Sequence, residues 1–212
     1  MTPRGVFVVV EGPDGAGKST LVRWLARRLR AAGRPVVMVR EPGGTPLGEA
    51  ARRVALKFPH AMTPVAELFL FLAARADLVQ RVIRPGLAAG RVVLADRFDL
   101  STIAYQVAGG GLSRDAVVTT NRLATGGLEP DLTLVLDVPV AVGRERQRRA
   151  RKQRDRFERR SDAFHRRVLE AYRKARGPGV VHIDAAQEKR VVQDVAWREV
   201  TAAAALTIRG VS

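Results

Sequence analysis

The chain has 212 residues, no cysteine and a formal net charge of +16, from 37 lysines and arginines against 21 aspartates and glutamates. The lack of thiols excludes disulfides, thiolate metal sites and a cysteine nucleophile. The apolar runs are too short for a membrane span or a signal peptide, so we expect a cytoplasmic protein. The length suits one α/β domain over residues 1–212, and the positive charge favours anionic ligands such as nucleotides, phosphates or nucleic acid.

The first predicted strand, Val6–Val10, leads directly into the sequence EGPDGAGKST at residues 11–20. Apolar residues then recur at helical spacing over 21–29. Strand, glycine-rich loop and helix form the context that a Walker A phosphate-binding loop requires, and GPDGAGKS fits that pattern at each position. Its glycines let backbone N–H groups turn toward phosphate oxygens. Lys18 adds a positive charge for the outer phosphates, and Ser19 offers a hydroxyl to magnesium.

Further strands alternate with helices along the rest of the chain. The five predicted strands are Val6–Val10, Val36–Arg40, Val92–Ala95, Leu132–Leu136 and Val180–Ile183. The predicted helices cover 18–32, 46–57, 64–79, 101–107, 113–125, a segment beginning at Pro139, 161–176 and 188–206. The alternation predicts an α/β fold whose five-stranded parallel sheet carries helices on both faces. The helix over 64–79 has apolar residues on more than one face, so we expect it to be buried on two sides.

Three polar residues lie where ligands bind in an open α/β sheet, at the carboxyl ends of strands. Asp96 ends the third strand and is suited either to hold magnesium, directly or through water, or to cap a turn. Arg97 follows it and is suited to bind a phosphate or to form a surface ion pair. Asp14 lies inside the phosphate loop, where phosphates would repel it. We therefore expect a sugar hydroxyl or a neighbouring arginine as its partner, with a solvated position as the alternative.

Phe71 and Arg75 are four residues apart in the predicted helix 64–79 and share one face. The ring is suited to stack on a nucleobase, and the guanidinium has only donors. The pair would therefore accept a base carbonyl, as in thymine or guanine, and would oppose the amino group of cytosine. For Phe71 the alternative is simple core packing.

An arginine-rich segment spans about 144–157. Its basic residues are Arg144, Arg146, Arg148, Arg149, Arg151, Lys152, Arg154 and Arg156. One interpretation is a mobile lid whose arginines close over a transferring phosphoryl group. The other is a solvated or nucleic-acid-binding face. Phe157 is the only aromatic residue near these arginines, which argues against a surface for single strands.

Seven blocks of the sequence resemble bacterial thymidylate kinases, a family of P-loop nucleoside-monophosphate kinases. They are EGPDGAGKST from Glu11, REPGGT from Arg40, LFLFLAARADL from Leu68, DRFDLSTIAYQ from Asp96, PDLTLVLDV from Pro130, DRFE from Asp155 and HIDA from His182. They occur in the family's order and spacing and span nearly the whole chain. The phosphate loop alone would indicate only a nucleotide binder, whereas the combination is far more specific.

The resemblance implies phosphoryl transfer from ATP, with Mg²⁺, to dTMP by a homodimer that needs no membrane and no nucleic acid. The residues implied for ATP are Gly12, Pro13, Asp14, Gly15, Ala16, Gly17, Lys18, Ser19 and Thr20, with Asp184 and Ala185 near adenine. Those implied for magnesium are Ser19 and Asp96. Those implied for the acceptor are Asp14, Arg40, Pro42, Phe71, Arg75, Arg97, Ser101, Thr102, Tyr105, Gln106, Asp155 and Glu158. The implied catalytic residues are Lys18, Asp96, Arg97, Arg148 and Arg151, with Arg154 as a further lid candidate.

Within the acceptor site the resemblance implies a role for each contact. Asp14 binds the sugar 3′-hydroxyl, Phe71 stacks on thymine, and Arg75 donates to its O4. Tyr105 lies under the deoxyribose and disfavours a 2′-hydroxyl, and Thr102 with Gln106 binds the base edge. Two alternatives stay open: a kinase for another monophosphate such as dUMP or AMP, and a nucleotide-binding protein without kinase activity.

The sequence resembles one of two styles within that family. The catalytic arginine comes either from the phosphate loop or from the lid, and the plain GAG at 15–17 with arginines at 144–157 resembles the second style. Three positions depart from the family pattern. Phe98 replaces a tyrosine, Val107 stands where glycine is common, and Arg160 replaces an acidic residue.

Overall fold

The computed structural model describes residues 4–149 and 155–209. Five strands form one parallel sheet in the order β2-β3-β1-β4-β5. They are β1 Val6–Glu11, β2 Val36–Arg40, β3 Val92–Asp96, β4 Leu132–Asp137 and β5 Val180–Asp184. The predicted fold class and all five strands are confirmed, because short β-branched runs between turn residues are typical of buried parallel strands. Four strands extend one residue beyond the prediction, and in each case that residue is acidic.

Helices cover both faces of the sheet. They are α1 Lys18–Ala31, α2 Pro46–Lys57, α3 Pro64–Leu78, α4 Arg84–Ala88, α5 Asp99–Thr102, α6 Arg114–Thr125, α7 Val140–Arg149, α8 Asp162–Lys174 and α9 Lys189–Arg209. Two stretches are wound as π-helix: Val79–Ile83, which joins α3 to α4, and Ile103–Gly109, which continues α5. The prediction of an ordinary helix over 101–107 is therefore wrong in its winding, and that helix begins earlier, at Asp99. Single π-helical turns inside helices often mark functional sites.

The core lies on both sides of β1, whose six residues are all buried. Alternate residues of a strand point to opposite faces, so Val6, Val8 and Val10 pack toward α1 and α9. Phe7 and Val9 pack on the other face with residues around the first π-helical stretch. The phosphate loop thus follows the most enclosed strand of the sheet, which fixes where the loop begins.

Helix α3 is buried on two sides, as predicted. Leu78 packs toward the sheet, and Leu68 with Leu72 packs against Val117 of α6. A third stripe of the helix is apolar but not covered by any part of the chain that the structure describes, since Val65 is 47% exposed and Phe69 57% exposed. Across 4–149 and 155–209, no helix combines the length and the hydropathy that a membrane crossing would need.

Candidate active site

A cleft of about 1190 Å³ opens at the carboxyl ends of the central strands. Its walls come from the phosphate loop, the turn after β2, helix α3, the segment after β3 and the arginine-rich α7. Four of the five strands end in an acidic residue, and the parallel register brings Asp96 beside Val10 and Arg40. The sheet therefore brings the predicted phosphate-binding and base-binding residues to one cleft, although they are separated by tens of residues in the sequence.

The phosphate loop is closed by Lys18. Its ammonium donates to the carbonyl oxygens of Gly12 at 2.9 Å and Pro13 at 2.8 Å, and the residue is 7% exposed. Burial lowers the pKa of Lys18 to about 8, and the like charge of Arg97 acts in the same direction. Ser19 donates its hydroxyl hydrogen bond to a carboxylate oxygen of Asp96. The loop thus holds one cation and one hydroxyl–carboxylate pair at its mouth.

Gly15 explains why this loop carries no arginine of its own. Its φ is 79°, in the left-handed region that favours glycine. A Cβ there would lie 2.2 Å from the carbonyl oxygen of Gly143 in α7. Any side chain at residue 15 would therefore collide with the backbone of the arginine-rich helix, and this contact joins the phosphate loop to that helix.

Asp14 is paired with Arg97, one of the two partners that the sequence predicted for it. The Arg97 guanidinium forms an ion pair with Asp14 and donates to the hydroxyl oxygen of Tyr172 at 3.0 Å. Tyr105 donates to the other oxygen of Asp14 at 2.9 Å. Burial opposes ionisation of Asp14, but the charges of Arg97 and Lys18 outweigh it and hold its pKa below the usual range. Asp14, Arg97 and Tyr105 therefore form one hydrogen-bonded cluster beside the phosphate loop.

Arg97 is held in place by a backbone turn. Its φ is 76°, which is strained for a residue with a side chain. Glu11, fully buried at the end of β1, accepts from the backbone N–H groups of Phe98 at 2.8 Å and Ser101 at 3.1 Å. Burial raises the pKa of Glu11. Its carboxylate also accepts from the hydroxyl groups of Ser101 at 2.7 Å and Tyr172 at 3.1 Å.

Sequence reasoning missed Glu11 and Tyr172 as parts of this site. A glutamate closing an apolar strand is a signal that could have identified Glu11, since a buried carboxylate needs partners. For Tyr172 the sequence offers no signal, because it is on α8, far along the chain from the phosphate loop. Phe98, which replaces a tyrosine, is fully buried edge-on to Phe7 with ring centroids 5.0 Å apart. A phenylalanine is therefore accommodated by apolar packing.

The opposite end of the cleft contains Arg75 and Phe71. Arg75 is buried in an ion pair with Glu41, whose carboxylate accepts from Nε at 2.8 Å. Burial opposes the charge on Arg75, but Glu41 outweighs it and raises the pKa of Arg75. The Phe71 ring lies 5.6 Å from that of Phe157, centroid to centroid, and both rings line the cleft. Phe71 is thus partly core packing and partly cleft wall.

The π-helical stretch lines the same end of the cleft. Tyr105 and Gln106 belong to it, and Thr102 immediately precedes it. The side chain of Gln106 is buried, and its amide nitrogen has no hydrogen-bond partner among the residues that the structure describes. A buried amide that lacks a partner is costly, so this nitrogen is suited to donate to a ligand in the cleft.

Two arginines on either side of the turn after β2 add cations to the cleft. Arg40 pairs with Glu49 at 3.0 Å, and Arg52 on α2 donates to the carbonyl oxygen of Pro42 at 2.8 Å. Burial lowers the pKa of Arg52, with the Arg40 charge acting in the same direction. Sequence reasoning missed Arg52, although its place on the helix after the REPGGT block was a usable signal.

The predicted lid residues are only partly within the described chain. Arg148 lines the cleft and pairs with Glu145 of the same helix. Arg151 and Arg154 lie outside the described residues. Asp155 accepts from the backbone N–H groups of Phe157 at 2.9 Å and Glu158 at 3.0 Å, while Glu158 accepts in return from the Asp155 N–H at 2.9 Å. These two predicted acceptor residues therefore close a turn and also line the cleft.

Arg160, the third departure from the family pattern, has a partner. It pairs with Glu67 on α3, and Arg156 binds the same carboxylate oxygen at 2.9 Å. The remaining predicted residues, Asp184 and Ala185, lie at the end of β5. The carboxylate of Asp184 accepts from the Ala186 N–H at 2.9 Å, and neither residue is among those that line the cleft.

The ligand set suits magnesium only in combination with phosphate oxygens. Within the described ranges, no three or more histidine or acidic side chains are grouped to hold a metal ion. The hydroxyl of Ser19 and the carboxylate of Asp96 are hard oxygen ligands at the mouth of the loop. Mg²⁺ is commonly held by one or two carboxylates together with substrate phosphates and water, so the residues present fit that ion.

A phosphate loop, paired arginines and a base-sized apolar end in one cleft define a P-loop enzyme that transfers phosphoryl groups between nucleotides. A family model described as thymidylate kinase matches residues 10–195. A thymidylate kinase of Pseudomonas putida (strain GB-1) is 49% identical over 193 residues, covering 89% of this chain and 91% of the relative. One of Thermomicrobium roseum is 48% identical over 198 residues, covering 92% and 94%. The chain belongs to the thymidylate kinase family.

Proposed function

We propose that this protein transfers the γ-phosphoryl group of ATP to dTMP, giving ADP and dTDP. The observation that carries the proposal is the single cleft that joins the Lys18 loop to the Asp14–Arg97–Tyr105 cluster and then to Phe71 and Arg75. One end of the cleft has charged groups that suit phosphates. The other end has aromatic side chains and the guanidinium of Arg75. A donor phosphate and an acceptor nucleotide therefore have adjoining places.

The donor half is the loop over 12–20. Its backbone N–H groups, the amino end of α1 and Lys18 bind the ATP phosphates. Ser19 and Asp96 hold Mg²⁺, which when bound neutralises charge on the transferred group. Residues 184–185 frame adenine.

The acceptor half holds its phosphate through Arg97, with Arg40, Pro42 and Arg52 along the neighbouring wall. Asp14 receives the sugar 3′-hydroxyl, and Tyr105 lies beneath the deoxyribose. The base stacks on Phe71, with its O4 toward the Nη1 edge of Arg75. The acceptor residues that complete the wall are Ser101, Thr102, Gln106, Asp155 and Glu158.

The chemistry needs alignment and charge, and no general base. The nucleophile is an oxygen of the acceptor phosphate, which is largely ionised at neutral pH. Lys18 and Arg97 would hold the two reacting groups next to each other, as transfer between aligned oxygens requires. Arg148, or Arg151 beyond the described residues, neutralises charge that develops during transfer. A lid formed by the arginine-rich segment would keep water from the reacting group.

The test is an acceptor series. The protein is incubated with ATP, Mg²⁺ and each of dTMP, dUMP, AMP and dGMP, and ADP release is followed. We expect turnover to be highest with dTMP. Turnover with AMP alone would refute the thymidylate assignment, and no turnover with any acceptor, alongside salt-sensitive DNA binding, would favour a protein without kinase activity. Lys18→Ala should remain folded by circular dichroism and lose at least a hundredfold in rate, since it removes a preorganised charge.

We further propose that two copies associate through the exposed apolar stripe of α3. Helix α3 packs against both α2 and α6, and all three helices carry exposed apolar residues, here called the α2–α3–α6 patch. Its residues are Leu47, Val54, Phe58, Val65, Phe69 and Val118. A patch of this kind on a water-exposed face marks an interaction site, and the same face on a second copy would cover it symmetrically.

A further inference from the structure

Arg75 has every one of its donors engaged by the protein. A guanidinium carries five N–H groups. Nε donates to the Glu41 carboxylate at 2.8 Å, and Nη2 donates to the same carboxylate and to the Phe98 carbonyl oxygen at 2.8 Å. Nη1 donates to Thr102 Oγ1 at 2.8 Å and to Asn121 Oδ1 at 2.5 Å. The ion pair is nearly sealed, with Arg75 and Glu41 side chains 3% and 6% exposed.

The hydrogen-bond partners of Arg75 lie on different sides of it relative to the cleft. Glu41 and Thr102 line the cleft, whereas Asn121 on α6 does not. The two hydrogens of Nη1 therefore point in different directions, one to the cleft side at Thr102 and one behind, to Asn121. A base carbonyl can approach Arg75 only along the Nη1–Thr102 edge, because a neutral hydroxyl that rotates is the partner most easily shared or displaced.

The amide of Asn121 adds to the contacts that orient that edge, because Glu41 and the Phe98 carbonyl oxygen also hold the planar guanidinium. Asn121 fixes the rear hydrogen of Nη1, and planarity passes that constraint to the front one. Without an acceptor at 121, the buried rear N–H would lack a partner, and the guanidinium would gain by turning toward Thr102 or the cleft. The donor that separates a carbonyl from an amino group on the base would then lose its fixed direction.

We propose that Asn121 is a positioning residue for acceptor-base selection: it holds Arg75 from behind and thereby sets the discrimination between a 4-carbonyl and a 4-amino pyrimidine. This inference rests on the proposed function, since it concerns the same acceptor site. Asn121 acts through Arg75 and does not touch the base.

The experiment compares Asn121→Leu, which removes the amide at similar size, with Asn121→Asp, which keeps an acceptor oxygen. Thr120→Ala is the matched control, because the Thr120 hydroxyl donates within α6 to the Ala116 and Val117 carbonyl oxygens. For each protein, kcat and KM are measured with dTMP, dCMP and ATP. Asn121→Ala replaces Asn121→Leu if circular dichroism shows that the leucine variant is unfolded.

We expect Asn121→Leu to raise KM for dTMP and to lower the preference for dTMP over dCMP, each by about tenfold, the worth of one well-placed hydrogen bond. KM for ATP should change less than twofold. Asn121→Asp and Thr120→Ala should keep the wild-type preference. Activity with dTMP together with an unchanged preference in Asn121→Leu would overturn this inference alone, as would equal increases in KM for ATP and dTMP. A wild-type protein inactive with dTMP would overturn the proposed function and this inference with it.

Discussion

At the scale of single residues, Lys18 carries the most consequential charge. In the free protein its ammonium is bonded to two carbonyl oxygens of the loop and removed from water. Burial lowers its pKa to about 8, although Asp14, Asp96 and Glu11 partly offset that effect. Bound phosphates would add negative charge beside it and stabilise the charged form. Nucleotide binding and protonation of Lys18 are therefore coupled.

This coupling predicts proton uptake when ATP with Mg²⁺ binds above pH 8. At pH 8.5 the free protein holds Lys18 mostly neutral, and binding raises its pKa, so most of one proton should enter from the buffer. At pH 6.5 the lysine is already charged and contributes no uptake. Calorimetric titrations in buffers with different ionisation enthalpies measure this proton number. The matched variant Lys18→Arg, which is charged at both pH values, should show no difference between them, and a wild-type protein without uptake at pH 8.5 would contradict the coupling.

Residues that a motif defines could be predicted, whereas their partners could not. The positions of Lys18, Ser19, Asp96 and Arg97 follow from the strand–loop pattern, because parallel strands deliver their carboxyl ends to one edge. Glu11 contacts residues 87 or more positions away, and Asn121 contacts Arg75, which is 46 positions away. Contacts between residues so far apart leave no regular spacing in a single sequence. Such partners can therefore be identified only from the folded structure.

At the scale of elements, the segment over 155–160 is held to α3 by ion pairs. Arg156 and Arg160 share one carboxylate oxygen of Glu67, and Arg156 also donates to the Ala55 carbonyl oxygen of α2 at 3.1 Å. Phe157 lies between them and faces the cleft. Residues 155–160 therefore form a fixed end for the arginine-rich segment, and Arg160 strengthens it through Glu67.

Removing the shared carboxylate should cost more than removing one cation. Glu67→Gln leaves two guanidinium groups without their counter-charge and should lower the free energy of unfolding by about 3 kcal/mol. Arg160→Gln leaves Glu67 paired with Arg156 and should cost about 1 kcal/mol. Urea denaturation measures both, with Glu170→Gln as a control because Glu170 forms an exposed pair with Lys174. KM for dTMP should rise only in Glu67→Gln, and equal losses in the two variants would contradict the shared anchor.

Strands were more predictable than helical winding. The five strands extend from the predictions by one residue at most, since a buried β-branched run has few alternatives. The π-helical stretches were missed because their local composition matches an ordinary helix. The extra residue in each turn is stabilised by packing, here by α8 against the second stretch. That winding aims Tyr105 and Gln106 at the cleft, so an important feature of the site depends on contacts that no local pattern reveals.

At the scale of the whole molecule, the cleft and the exposed apolar residues are on different parts of the surface. Helix α7 brings Arg144, Arg146 and Arg148 to the cleft, where anionic nucleotides would bind. The α2–α3–α6 patch belongs to the helices whose inner sides build the acceptor end, including Phe71 and Arg75 on α3. A second copy that covers the patch would therefore stabilise the helices that form the acceptor site.

Association through that patch makes a final prediction. Phe69→Glu places a charge at the more exposed residue of the α3 stripe. In a symmetric pair each copy would bring one, so burial would be opposed by desolvation and repulsion together. Sedimentation velocity over a concentration series should show a wild-type dimer and a Phe69→Glu monomer. Val191→Glu alters an exposed valine of α9, which packs with α1 on the face of the sheet opposite α3, and should leave the dimer intact. The monomer should remain folded but bind dTMP more weakly, because α3 loses its outer support. A wild-type protein that sediments as a monomer at tens of micromolar would refute the interface.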